Sequence, residues 1–249
     1  MRLSRLAGLC GVVGPVLFTM AWLAGSLRQS GHSMAEVQLS GLAADDARDP
    51  QIMVAGFVAL GVCSIVFGVA LGREIAPRRA GARLVVVAGV AAVAAGVFRR
   101  DHLLLTGPGF AGESWHNQVH DVASGVAYGA MLVAPLVLAR RFRDDPDWAV
   151  LGRPVQLLAL GSAVTLAVFA SRVLEPWNGV VQRVAVTLAL ATEVLIAAWR
   201  DHRRLPDTAR PRHSQLTPGR PGSAEARGRR LVRQPGPGRR PGPGPVRGR

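Results

Sequence analysis

Six long apolar runs between residues 7 and 199 limit what this chain can fold into. The first, AGLCGVVGPVLFTMAWLAGS over residues 7–26, has no charge in twenty residues. As a helix it is ~30 Å long, the thickness of a bilayer's hydrocarbon core. The others fall near 51–72, 84–98, 119–139, 154–171 and 180–199. The chain is 49% hydrophobic but only 5% aromatic, so it is built from Ala, Val, Leu and Gly. That composition suits packed membrane helices better than a soluble aromatic core. The reading is all-α: residues 1–200 form a polytopic bundle of six transmembrane helices, and 201–249 form a disordered basic C-terminal tail. Arg residues ahead of the first run also fit a cleaved signal peptide. The run's length and the five runs after it favour a retained span.

Charge orients the bundle. All thirty basic residues are Arg, and the formal net charge is +14. Residues 200–249 hold fourteen Arg against Asp201, Asp207 and Glu225, so +11 belongs to the tail and the body is near neutral. No aromatic residue interleaves with those Arg, so specific nucleic-acid recognition has no support. The loops 73–83 and 140–153 carry four Arg each, on the same side as the tail. The other side has Arg28, Arg48, Arg99, Arg100 and Arg172. The positive-inside rule then places both termini in the cytoplasm of a cell membrane. The Pro/Gly/Arg tail lacks the apolar surface to fold, and it reads either as a passive polar extension or as a segment attracted to anionic lipid on that leaflet.

Between the third and fourth runs lies FRRDHLLLTGPGFAGESWHNQVHDVASGVAY, residues 98–128. His116, His120 and Ser124 follow at four-residue intervals and share a helix face if the helix has begun by His116. Tyr128 extends that stripe one turn, and Asp121 sits beside it. Asp101 precedes a Gly-Pro-Gly loop and is expected to fold back over the same face. Glu175 lies in the short connection before the sixth run, and Gln182 and Arg183 fall one turn into it. An Arg there should face the bundle interior and take a carboxylate partner, Asp121 or Asp101.

Three chemistries fit this cluster. Paired polar groups can lock helix ends together without any further role. The cluster can line a cavity for a small ligand, lipid or proton, as in a transporter. Or His116, His120 and Asp121 can ligate zinc in a lipid hydrolase, which needs three protein ligands and an open position. The pair is spaced HxxxH but lacks the internal Glu of HExxH.

Other expectations are plainer. Cys10 and Cys63 read as small buried hydrophobes. Residues 33–44 suggest a short helix with a Ser33–Glu36 capping box, and His32 reads as a solvated loop residue. Pro154 suits the first turn of the fifth helix, and Trp199 an interface. Glu193 is expected to snorkel or pair with Arg200. Gly125 and Gly129 read as a helix-packing motif.

With these residues placed, the chain resembles the bacterial membrane family called domain of unknown function 998, common in actinobacteria. The resemblance rests on GxxGPVLF from Gly11, GHS at residues 31–33, Phe98-x-x-Asp101, HxxxHD from His116 to Asp121, and Gly179-x-x-Gln182-Arg183. It covers about residues 8–200. The family often has Pro after the Phe, where this chain has Arg99. The resemblance implies a six-span helical membrane protein and no established activity. A wider likeness to ceramidase-like zinc hydrolases lacks a His pair in the last span. The sequence-based expectation is a non-enzymatic membrane protein with an outward-facing polar cluster.

Overall fold

The structure, a computed structural model, describes residues 2–31, 33–104 and 113–203. His32, the Gly-Pro-Gly loop and the tail beyond residue 203 lie outside the described residues. Six helices account for most of the rest: α1 (Arg2–Arg28), α2 (Pro50–Glu74), α3 (Ala80–Val97), α4 (Trp115–Arg143), α5 (Ala149–Ser171) and α6 (Asn178–Arg203). All six are long and apolar enough to cross a membrane, and no strand occurs among the described residues. Each extends past its apolar run by a few residues. The ladder of i→i−4 hydrogen bonds does not stop where hydropathy does. Pro154 accordingly sits inside α5, not in its first turn.

Each helix packs on its chain neighbours, and α6 closes back on α1. Glycines let the backbones approach. Gly61 of α2 and Gly89 of α3 face each other so closely that a Cβ on either would run into the other's carbonyl oxygen. Gly11 and Gly14 of α1 abut Phe67 and Cys63 of α2 in the same way, and Gly56 of α2 abuts Ala21. In lipid, where apolar burial drives little association, such close approach supplies the packing energy. Gly125 and Gly129 take no part: a Cβ at either meets nothing within 4 Å. The expected motif on α4 is not a packing face.

Two apolar layers fill the interior. Phe18, Met53, Leu60, Val186 and Leu190 form one, with Leu39, Leu42 and Leu103 from loops. Phe67, Leu71, Leu138, Phe142, Trp148 and Ile196 form the other. Outside, Leu9, Met20, Val62, Val90, Val122, Leu157 and Val164 are exposed, as a lipid-facing surface requires. At the end that carries the N-terminus, Arg200 is buried and its Nε lies 2.7 Å from Glu74 Oε1. Glu193, expected to pair with Arg200 or snorkel, instead accepts a 3.0 Å hydrogen bond from Ser64 Oγ on α2. Glu74, two residues beyond α2's apolar run, is the carboxylate that reaches Arg200.

The other end, termed distal here, is closed by the α1–α2 connection. Its sequence is polar, yet Val37, Leu39, Leu42, Ala43 and Ala44 are buried. It is neither a solvated loop nor the expected capped helix. Ser33 Oγ accepts from the N–H of Ala35 in a local turn, Glu36 stays exposed, and a single 3₁₀ turn spans Ser40–Ala43. Local side-chain hydrogen bonding by Ser competes with helix here, and the apolar residues are spent on plugging the bundle.

Candidate functional site

Three elements meet beneath this plug: the 98–104 segment, the start of α4 and the start of α6. Ser114 is the N-cap of α4, its Oγ accepting from the N–H of Asn117 at 3.2 Å. Asp101 reaches the same point. Its carboxylate accepts from Ser114 Oγ at 2.5 Å and from the Ser114 N–H at 2.7 Å, and its own N–H donates to Asn117 Oδ1. The Ser114 hydroxyl, then its N–H, hold the Asp101 carboxyl below the ordinary aspartate value, opposed by partial desolvation. Asn117 Nδ2 continues the chain to Glu113 at 2.7 Å and Asp121 at 3.1 Å. Asp101 does return to α4, but its hydrogen bonds go to Ser114 and Asn117 at the helix start, where it acts as a second cap, and not to His116, His120 or Ser124.

The histidines part company. His120 is fully buried, and its Nδ1 donates to the carbonyls of Ala95 at 2.7 Å and Phe98 at 2.9 Å. Those carbonyls end α3 and have no helical partner of their own. Nε2 is left to accept from Ser124 Oγ at 3.2 Å, which assigns the tautomer. His116, one turn earlier, lies beyond the end of α3. It is exposed and sits against the rings of Trp115 and Phe98. Among the described residues no three His, Cys, Asp or Glu side chains converge as a metal site requires. The grouping of His116, His120 and Asp121 as zinc ligands is therefore not brought together. A four-residue step advances ~40° around a helix, enough here to turn His116 out while His120 faces α3.

Arg183 also departs from expectation. It pairs with neither Asp121 nor Asp101. Its guanidinium donates to three carbonyls, Met34 at 2.9 Å, Val37 at 2.7 Å and Gly179 at 2.8 Å, and to Ser26 Oγ at 3.1 Å. It also stacks 5.3 Å from the Trp22 ring. Gln182 beside it accepts from the Leu39 N–H at 2.7 Å and donates to Tyr128 Oη at 2.7 Å. Gly179 completes the set. Its N–H donates to Ala35 O, and a Cβ there would come within 2.8 Å of the carbonyl oxygens of Met34, Ala35 and Val37. Gly179, Gln182 and Arg183 thus act as one clamp on the plug. Glu175 stays outside it, 71% exposed and 3.9 Å from Arg172.

Behind Gln182 lies a cavity of about 300 Å³ at the distal end. Asp121, Ser124, Tyr128 and Gln182 line it, together with Gln38, Ser40 and Asn178 from the plug and α6. Arg100 lines it too, and sequence reasoning missed this residue. Counted in the sequence among the Arg on the outer side, it is just 4% exposed. Its Nε forms a long ion pair with Asp121 Oδ1 at 4.0 Å, beyond a hydrogen bond, and has no hydrogen-bond partner among the described residues. The Oδ1 of Asn178 is likewise buried and unpartnered. The signal that could have found Arg100 is its place directly before Asp101, which returns to α4 and carries the preceding residue inward. Asp45 and Asp46 fix the same segment: the Asp45 N–H donates to Arg100 O at 2.9 Å, and Asp46 Oδ1 accepts from the Leu103 N–H at 2.6 Å.

The expected cluster therefore divides. Asp121, Ser124 and Gln182 share the cavity. Asp101 and His120 cap helix ends beside it, Arg183 and Gly179 hold its roof, and His116 and Glu175 stand apart. A buried guanidinium with a free donor beside one carboxylate and several amide and hydroxyl groups suits a small polar molecule carrying a carboxylate or phosphate.

A family model described as Protein of unknown function (DUF998) matches residues 12–199, which takes in α2 to α5 whole, most of α1 and α6, and the clamp. No curated protein and no solved structure matches the chain.

Proposed function

The chain belongs to the DUF998 family of proteins of unknown function, and on that premise we propose that this multi-pass membrane protein binds a small carboxylate- or phosphate-bearing molecule in its distal cavity. The bound group meets the guanidinium of Arg100, and Asp121, Ser124 and Asn178 read the rest of the molecule. The observation that carries this is Arg100 itself: a residue 4% exposed, whose Nε has no hydrogen-bond partner among the described residues and approaches Asp121 only to 4.0 Å. Guanidinium groups are retained inside membrane proteins where they meet a partner or serve a ligand. The clamp on the plug is the structural half of the same arrangement, and it keeps the cavity roofed.

Arg distribution supports an orientation with the N-terminal end cytoplasmic, so that the cavity opens to the outside of the cell membrane. The reading is of a binding protein and not of an enzyme.

Thermal unfolding of the detergent-purified full chain tests this, with glycerol 3-phosphate, acetate and short-chain phosphatidylglycerol as probes. Saturable stabilisation of the wild type, absent in Arg100→Gln, is the expected result. Stabilisation by glycerol 3-phosphate identifies a soluble ligand. Stabilisation by the phospholipid alone identifies a headgroup. No shift with any probe, or equal shifts in both proteins, overturns the proposal.

A further inference from the structure

A second cavity, of about 520 Å³, lies at the opposite end of the bundle, between the α2–α3 turn, the first turn of α3 and the end of α4. Its walls carry Arg78, Arg79, Arg83, Arg140 and Arg141 against one carboxylate, Asp144. Two of the five are already engaged: Arg78 with Asp144 at 3.0 Å and Arg141 with Asp145 at 2.9 Å. Arg79, Arg83 and Arg140 are exposed and meet no carboxylate among the described residues.

The backbone adds to this positive field. Helix α3 starts in the cavity wall with no acidic residue in its first turn and no side-chain cap. Its first N–H groups and the positive end of its dipole are left for something else to satisfy. Like charges gathered this way repel one another until an anion joins them. The floor, in contrast, is apolar, formed by Val137 and Leu138.

Depth decides what anion belongs there. The cavity sits where one membrane-spanning helix, α3, begins and another, α4, ends, which is the level of the lipid headgroups. One turn or two toward the bilayer centre, Val87 and Val133 are exposed and offer acyl chains an apolar flank. We propose that this cavity seats the phosphate of an anionic membrane lipid, with its glycerol over Val137 and Leu138. Guanidinium forks bind phosphate bidentately, and basic pockets between membrane helices are suited to such headgroups. The site is separate from the distal cavity and does not depend on what binds there.

Native mass spectrometry of the full chain, released from nanodiscs of mixed phosphatidylcholine and phosphatidylglycerol, tests the proposal beside R79A/R83A/R140A. The wild type is expected to retain phosphatidylglycerol several-fold over phosphatidylcholine, and the variant to lose that preference. The tail is present in both proteins, so its own attraction cancels. R79K/R83K/R140K keeps the charge and is expected to keep most of the preference. Raising the salt concentration on the wild type should lower retention, because exposed charges are screened. A wild type without preference, an unchanged preference in R79A/R83A/R140A, or salt-insensitive retention overturns the proposal. So does displacement of the lipid by millimolar inorganic phosphate, which would make a soluble anion the occupant. Should R79A/R83A/R140A fail to fold, R79A and R140A taken singly are each expected to lower the preference, and an unchanged preference in both overturns the proposal.

Discussion

Gln182 and Leu39 are 143 residues apart in sequence, and the Leu39 N–H donates to Gln182 Oε1 at 2.7 Å. The bond pins an irregular loop to the last helix. The other hand of the same amide donates to Tyr128 Oη on α4, so one side chain fixes the plug, α4 and α6. Buried polar groups satisfied at both ends in this way specify a single arrangement, because half of the network alone leaves orphans.

Gly179→Ala tests how closely the plug is held. A methyl group at 179 meets three carbonyl oxygens within 2.8 Å, and backbone does not yield as a side-chain tip does. The expected loss is about 1–3 kcal/mol, the range for overpacking. Thermal unfolding in detergent reads it, with faster protease nicking between residues 29 and 49. An unchanged melting temperature contradicts the clamp.

Arg183→Lys and Asp121→Asn separate the clamp from the ion pair that the sequence suggests. Lysine has three donors on a point charge and does not reproduce the fork that serves Met34, Val37, Gly179 and Ser26. Leaving buried carbonyls unpaired costs about 1–3 kcal/mol for each group lost. Asp121→Asn leaves every one of these bonds in place and is expected to change stability far less. Equal destabilisation by the two variants in a denaturation series would argue for a direct Arg183–Asp121 pair.

His120→Ala should destabilise the fold and His116→Ala should not. The first removes the donor for Ala95 O and Phe98 O, at about 2–4 kcal/mol for the lost bonds and the space left behind. The second removes an exposed ring. Chelation with EDTA is expected to leave the melting temperature of the wild type unchanged. Stoichiometric zinc, lost equally in both variants, would instead restore the hydrolase reading.

Asp101 gives the distal end an acid limit. Its carboxyl is held below the ordinary value of 3.8, first by the Ser114 hydroxyl. A carboxylate whose folded value is depressed contributes stability that is complete above its unfolded value and is lost as pH falls through the folded one. Melting temperature measured from about pH 6 down to about pH 3 should therefore fall in the wild type and fall less steeply in Asp101→Asn. Parallel curves would remove Asp101 from the account.

Much of this was legible because hydropathy and helix length are the same signal in a membrane protein. The six runs and the grouping of Asp121, Ser124 and Gln182 follow from period and depth, whereas the packing glycines lie on α1, α2 and α3 and not at Gly125 and Gly129. The plug was not legible. Residues 29–49 read as polar because Gln29, Asp45, Asp46 and Asp49 dominate the average, while Val37, Leu39 and Leu42 are buried. Arg183 was assigned a carboxylate because charge seeks charge in a bilayer. A loop that brings carbonyls into the bundle has no signature in composition. Arg100 was missed for a related reason. Its burial depends on the turn that Asp101 and Ser114 make, and that turn is set by capping geometry and not by hydropathy.

The central claim is that Arg100 sits in the wall of a cavity that opens to the outside and takes an anion. Gly125 lines that cavity and has open space where a side chain would go, so Gly125→Cys places a thiol there without displacing anything. Labelling of this variant by a membrane-impermeant thiol reagent, in intact cells and in inverted vesicles, is the most direct measurement, with wild type as the background for Cys10 and Cys63. The account predicts rapid labelling in intact cells, slowed by the anion probe that stabilises the purified protein and unaffected by that probe once Arg100 is replaced by Gln. A thiol that labels only in inverted vesicles, or in neither, contradicts it.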